Sequence, residues 1–197
     1  MLLMNDEEFL AAVRKAREEN VRFLSNAGKV ERELWVAREF LKNLGINFSE
    51  EELVSPPEDP PDVLFRSAQF EIKDVVDYPR HAEAKRELRI AQDAEKPGDL
   101  IEPCIGRDIT YTEVVNLIEE KAGHLKYAPS ARPNLDLLFY ICLDSPHAFI
   151  AKPRKPLEGL ASLGYRSISL LMGRSSIVLV ASSNTPEILR SRAESVF

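Results

Sequence analysis

The chain has 197 residues, a formal net charge of −6, 44% hydrophobic residues and 29% charged residues. That apolar content suits one globular domain with a full core and excludes intrinsic disorder. No stretch approaches the roughly 20 consecutive apolar residues of a membrane span. The start, MLLMNDEEF, lacks the basic and then apolar pattern of a secretory leader, so a cytoplasmic protein is expected. Cys104 and Cys142 lie far apart, without metal-ligand spacing, and read as buried structural thiols of a reducing compartment. The net charge hides an asymmetry. Residues 1–120 hold 16 Lys and Arg against 27 Asp and Glu, whereas residues 121–197 hold ten against five. Asymmetry of this kind points weakly to a charged ligand.

In chain order, residues 5–24 read as a helix with Phe9, Val13, Ala16 and Phe23 or Leu24 inward. A better helix covers 29–44, where Val30, Leu34, Ala37, Leu41 and Leu44 recur at 4-3-4-3 spacing. Asn26-Ala27-Gly28 separates the two, and Gly45 stops the second. Pro56, Pro57, Pro60 and Pro61 then forbid both helix and strand interior, so this segment is a stiff extended loop. Residues 62–76 read as a β-hairpin turning near Arg66–Gln69. A charged helix follows at about 80–94, and a loop at 95–109. Thr110 and Glu113 form a capping box for a helix through about Tyr127. The nearly continuous apolar run 134–143 reads as a central strand. A basic, Pro-rich loop is expected over 146–156. A second hairpin pairs 165–172 with 176–181 around Gly173-Arg174, and Thr185-Pro186-Glu187 starts a last helix. The order α-α-β-β-α-α-β-β-β-α predicts an α/β fold, a mixed β-sheet flanked by helices, in a single domain. That domain divides into N-terminal helices at 1–45, a central unit at 62–143 and a C-terminal hairpin and helix at 144–197.

One segment carries chemistry: Pro61-Asp62, eight intervening residues, then Glu71-Ile72-Lys73. Alternate side chains of a strand share a face, so Glu71 and Lys73 point the same way. If Phe65 pairs with Phe70, Leu64 faces Glu71 and Asp62 faces Lys73. One face then gathers Asp62, Glu71 and Lys73, while Val63, Phe65, Phe70 and Ile72 form the apolar reverse. A one-residue change of register would break this arrangement. Two close carboxylates repel unless a cation lies between them. A hard divalent ion suits oxygen ligands, and Lys73 beside it would serve an attacking water or steady developing charge. The plainer alternative is a cross-strand ion pair between Lys73 and Asp62, with Glu71 solvated.

These residues resemble the PD-(D/E)xK nuclease superfamily, the restriction-endonuclease-like fold. Pro61-Asp62 matches its first half-motif and Glu71-Ile72-Lys73 its second; the resemblance spans about residues 28–143. It implies Mg²⁺ or Mn²⁺ held by Asp62, Glu71 and the Ile72 carbonyl, with Lys73 catalytic and a supporting glutamate on the preceding helix. Of Glu31, Glu33 and Glu39, Glu33 lies nearest the apolar stripe, about 45° from its centre, and is the one able to border a buried site. The chain also resembles a small bacterial family of otherwise unknown function described as candidate endonucleases. The implied partner is nucleic acid, DNA foremost, and cutting two strands would call for a homodimer. A non-catalytic binding or protein-interaction module on the same scaffold is the alternative, favoured by the acidic total charge. The gap of eight residues is short for the superfamily, and no glutamine signature marks the following helix, although Gln92 is present.

Lys152, Arg154 and Lys155, followed by Arg166 and Arg174, are the candidate phosphate-binding residues. His81, His124 and His147 show no zinc spacing; His81 alone follows the motif strand closely enough to reach the site. There is no GxSxG nucleophile turn, and the glycines of 159–164 precede a strand rather than a helix, unlike a dinucleotide fingerprint.

Overall fold

The computed structural model describes residues 5–101, 106–143, 146–150 and 156–196. Asn5 opens helix α1 (Asp6–Leu24) with a capping box: its side chain accepts the Glu8 N–H at 2.8 Å, and Glu8 accepts the Asn5 N–H at 3.2 Å. The inward face of α1 differs from expectation. Leu10 is buried and Phe9 exposed, because α1 packs lengthwise on the charged helix α3 (Arg80–Asp93) through polar contacts. Arg14 donates to the carbonyls of Ala91 and Ala94 at 2.9 and 2.8 Å, and Arg17 pairs with Glu87 at 2.6 Å.

Helix α2 (Lys29–Asn43) follows after Gly28 and ends at Gly45, whose φ of 69° lies in the left-handed region that glycine adopts freely. Its buried face is rotated from the expected stripe. Val36, Ala37, Phe40 and Leu41 are buried with Glu33, while Val30 is exposed. Phe40 draws the helix this way by packing edge-on against Phe70 of the sheet, with ring centroids 5.8 Å apart.

The main sheet runs β1-β2-β3-β5-β7-β8-β9. Its strands are β1 (Leu53–Val54), β2 (Val63–Phe65), β3 (Ala68–Val76), β5 (Asp136–Cys142), β7 (Ser167–Met172), β8 (Ser175–Ala181) and β9 (Ala193–Val196). β5 is central and parallel to both β3 and β7. Both faces are covered, as a sheet with parallel centre strands requires. On one face α2 packs against Val63, Phe65, Phe70, Ile72, Leu138 and Leu171. On the other, α4 (Tyr111–His124) and α5 (Glu158–Ser162) pack against Val75, Leu137, Phe139 and Leu170. The Thr110–Glu113 capping box opens α4 as expected. This is a mixed α/β fold with helices flanking a mixed sheet. Among the described residues no helix is long and apolar enough to cross a membrane.

Four segments depart from the sequence expectation. The stretch 49–61, expected as an extended loop through its prolines, contains β1, which pairs antiparallel with β2 at Leu53 and Val54. The stretch 95–109 contains β4 (Arg107–Thr110), and the expected loop after 146 begins with β6 (Pro146–Ile150); the two pair in parallel as a separate small sheet. The last helix, α6 (Glu187–Arg190), is a single turn followed by β9. Thr185 does not cap it; its hydroxyl donates to the Arg166 carbonyl at 2.5 Å.

The first hairpin turns on Arg66-Ser67, with Val63 opposite Phe70 and Phe65 opposite Ala68. The expected Phe65–Phe70 pairing is thus displaced by two residues. A displacement of two preserves the parity of the strand, so every side chain keeps its expected face. Arg66 sustains the tight turn at φ 52° by bonding Glu52 at 2.7 Å and the Asn47 carbonyl at 3.0 Å.

Candidate functional site

Strand β2 stops at Val63, where the proline-rich segment leads the chain away, and so it pairs only with Ala68–Phe70 of β3. Asp62 closes the pairing. Its backbone N–H donates to Phe70 O at 3.0 Å, and its Oδ2 accepts the Ile72 N–H at 2.9 Å. The carboxylate therefore replaces the next carbonyl of the ladder and lies in the plane of the sheet, at the edge of β3. In a strand, the N–H and C=O of one residue point to the same side, so the Ile72 carbonyl faces this edge too.

Groups from both faces of the sheet converge on that edge. Glu71 is 0% and Asp62 5% exposed. Glu71 Oε1 accepts hydrogen bonds from Lys73 Nζ and from the Tyr127 hydroxyl, whereas Glu71 Oε2 is buried without a hydrogen-bond partner. Lys73 Nζ also lies 3.9 Å from Asp62 Oδ2. From the α2 side, Lys29 Nζ sits 3.1 Å from Asp62 Oδ1, 3.4 Å from Glu33 Oε1 and 3.4 Å from Asp59 Oδ2. One carboxylate oxygen each of Asp59, Asp62 and Glu71 lies within 4.8 Å of the others. Four carboxylates thus face two ammonium groups.

This crowding shifts the titrations. Burial pushes the Glu33 carboxyl up to about 7, with the Asp62 charge adding to it and Lys29 opposing. Desolvation works against the Lys29 charge. The hydrogen bond to Asp62 and the fields of Asp62, Glu33 and Asp59 outweigh it and hold the ammonium above its ordinary value. Burial, and then the bond to Glu71, push the Tyr127 hydroxyl upward. Beside the cluster opens a cleft of about 310 Å³, between Arg32, Glu33 and Val36 of α2, Ile72 and Lys73 of β3, and Lys121 of α4.

Five of the residues singled out in the sequence, Glu33, Asp62, Glu71, Ile72 and Lys73, come together here. Arg174 does not. It is exposed in the β7–β8 turn, next to Gly173, whose carbonyl accepts from Asn43 at 3.3 Å. Asn43 lies ten residues beyond Glu33 on α2, about 15 Å along the axis. Lys152, Arg154 and Lys155, like Cys104, fall outside the described residues. Arg166 is a correction. Its guanidinium pairs with the buried Asp136 and donates to the Ser67 carbonyl at 3.1 Å, so it is spent inside the fold rather than offered to phosphate. His81 sits half-buried in the first turn of α3, and Cys142 is half-buried as a free thiol. Sequence reasoning missed Asp59, Lys29 and Tyr127. Two of these had a signal: Lys29 stands four residues before Glu33, and Asp59 three before Asp62 in the acidic, Pro-rich run. Tyr127, 56 residues from Glu71, had none.

Residues 5–197 match the model of a family described as "Putative endonuclease, protein of unknown function (DUF1780)". The chain belongs to this family. It is also similar to a solved structure from Pseudomonas aeruginosa strain PAO1, described as a protein of unknown function of the monooxygenase superfamily. That likeness has a TM-score of 0.64 at 28% identity and covers 97% of this chain and 94% of the other. Among curated proteins nothing matches the chain. Two descriptions thus stand beside the fold, an endonuclease family and a neighbour labelled a monooxygenase, and the acidic edge of β3 has to be weighed against both.

Proposed function

We propose that the chain is a Mg²⁺- or Mn²⁺-dependent endonuclease of the PD-(D/E)xK kind, hydrolysing phosphodiester bonds in nucleic acid, DNA foremost. One observation carries this reading. Glu71 Oε2 is a buried carboxylate oxygen without a hydrogen-bond partner, in a cluster where one oxygen each of Asp59, Asp62 and Glu71 already lies within 4.8 Å of the others. A buried ionised oxygen without a partner is costly, and a cation removes that cost. The donors are all oxygen, which suits hard divalent ions rather than the softer metals that prefer nitrogen and sulfur.

Asp62, Glu71 and the Ile72 carbonyl would hold the ion. When bound, it supplies positive charge that polarises a phosphate and lowers the pKa of a coordinated water. The rest falls to the chain. The Ile72 N–H fixes Asp62, and Tyr127 and Lys73 fix Glu71 Oε1, which leaves Oε2 as the free ligand. Lys73 borders both cluster and cleft, so its ammonium orients the attacking water or steadies charge on the phosphate. Glu33 supports from the helix, where it lines the cleft together with Ile72 and Lys73. Lys152, Arg154, Lys155 and Arg174 would contact flanking phosphates, and a homodimer would supply the two centres a duplex cut needs.

The test is cleavage of single-stranded, double-stranded and branched DNA and of RNA, with Mg²⁺ or Mn²⁺ and with EDTA. Metal-dependent cleavage is expected, falling about 100-fold or more in Glu71→Gln and Lys73→Met, with circular dichroism establishing that each variant is folded. Cation binding without cleavage of any substrate would favour a non-catalytic binding module on this scaffold. The absence of both would end the nuclease reading.

A further inference from the structure

The two oxygens of Asp62 are already engaged: Oδ2 accepts the Ile72 N–H at 2.9 Å, and Oδ1 faces Lys29 Nζ at 3.1 Å. The same ammonium reaches Asp59 and Glu33, both at 3.4 Å. It therefore occupies the side of Asp62 that a metal ion shared with Asp59 would need. A divalent ion and an ammonium ion about 4 Å apart repel strongly, and more so beside buried carboxylates than in water. Lys29 is also built to move. It is the first residue of α2, and its side chain is 49% exposed, so it can swing into solvent without disturbing the core. Lys73 lacks that freedom, because it is fixed on a strand and bonded to Glu71.

Resting on the metal-dependent reading above, we propose that Lys29 is the resident counter-ion of this cluster, and that a divalent cation binds by displacing its ammonium from Asp62. Lys29 thereby keeps the metal-free edge of β3 neutralised and sets the cation concentration at which the site fills.

Two measurements on the full chain test this. Calorimetric titration with Mn²⁺ should show Lys29→Met binding about tenfold more tightly than the wild type. Lys121→Met, at the far wall of the cleft, should change the affinity little. That control separates displacement from a general loss of positive charge. In ¹⁵N NMR of the lysine side chains, the hydrogen-bonded Nζ resonance missing from Lys29→Met should lose its protection from exchange when the wild type is saturated with Mg²⁺. Equal or weaker binding by Lys29→Met, or an unchanged Lys29 resonance in the saturated protein, overturns the displacement and leaves the metal site standing. No heat from the wild type or from Lys29→Met overturns both. Circular dichroism melts of each variant establish that it is folded.

Discussion

Glu33 is 8% exposed on the first turns of α2, beside an ionised neighbour, and its carboxyl titrates near 7 rather than at its ordinary 4.5. A carboxyl raised by the fold is held more readily in its protonated form in the native state than in the unfolded chain. The stability this confers is complete below the unfolded value and is lost as pH rises through about 7. In metal-free protein, Glu33→Gln should flatten that loss. Above pH 7 it should make the variant more stable than the wild type, by ~1–3 kcal/mol; thermal melts in EDTA across about pH 4–8 would show it, and parallel curves would refute it. Tyr127 acts on the other side of the edge, where its hydroxyl donates to Glu71 Oε1. Tyr127→Phe should lower the unfolding free energy by about 1–2 kcal/mol in urea titrations. It should also weaken Mn²⁺ binding, since Glu71 would keep only Lys73 to orient it.

At the scale of elements, the start of α2 decides where Lys29 and Glu33 stand. Gly28 precedes it at a close approach: a Cβ there would run into Phe23 O and lie 2.7 Å from Arg22 O, both backbone atoms that cannot turn aside. Gly28→Ala should cost about 1–3 kcal/mol, read as a lower melting temperature. Because the strain falls at the helix start, it should loosen the hold of Lys29 on Asp62, and cation affinity should rise. The elements themselves were largely legible, because their signals are local. Capping boxes, a stop glycine and the alternation in Val63–Phe65 and Ala68–Val76 each depend on neighbours within a few residues. Strands β4, β6 and β9 were not. Each has four or five residues, and each pairs in parallel with a segment elsewhere in the chain, so no local pattern marks it.

At the scale of the whole molecule, buried Asp136 ties together the beginnings of β3, β5 and β7. It accepts the Gln69 N–H at 2.9 Å and the Ser167 hydroxyl at 2.8 Å, and it pairs with Arg166. Asp136→Ala would strand the Arg166 charge and should cost about 3–5 kcal/mol in denaturant unfolding. The same pair shows why the candidate site was read only in part. Asp62, Glu71 and Lys73 are brought together by one hairpin, so spacing revealed them, and helical angle revealed Glu33. The partner of Arg166 lies 30 residues away and that of Tyr127 lies 56 away, joined only by the folded sheet. The charge asymmetry is likewise a property of the whole chain. If Lys152, Arg154 and Lys155 bind phosphates of a duplex, replacing all three with Ala should weaken DNA binding regardless of sequence. The slope of log K against log salt should flatten by ~0.9 for each phosphate no longer neutralised.

The two-residue displacement of the first hairpin bears on how its spacing can change. Hydrogen-bonded and non-hydrogen-bonded pairs alternate along the two arms, so lengthening each arm by two residues lets the same turn close while Asp62 keeps its bonds to Phe70 and Ile72. An interval lengthened by two residues in each arm around the same kind of turn therefore builds the same acidic edge. An odd interval sends one carboxylate to the far face unless a bulge restores it. Insertions here are tolerated when each arm gains a matched pair of residues, so natural or designed variation in this hairpin should lengthen both arms together by two residues each.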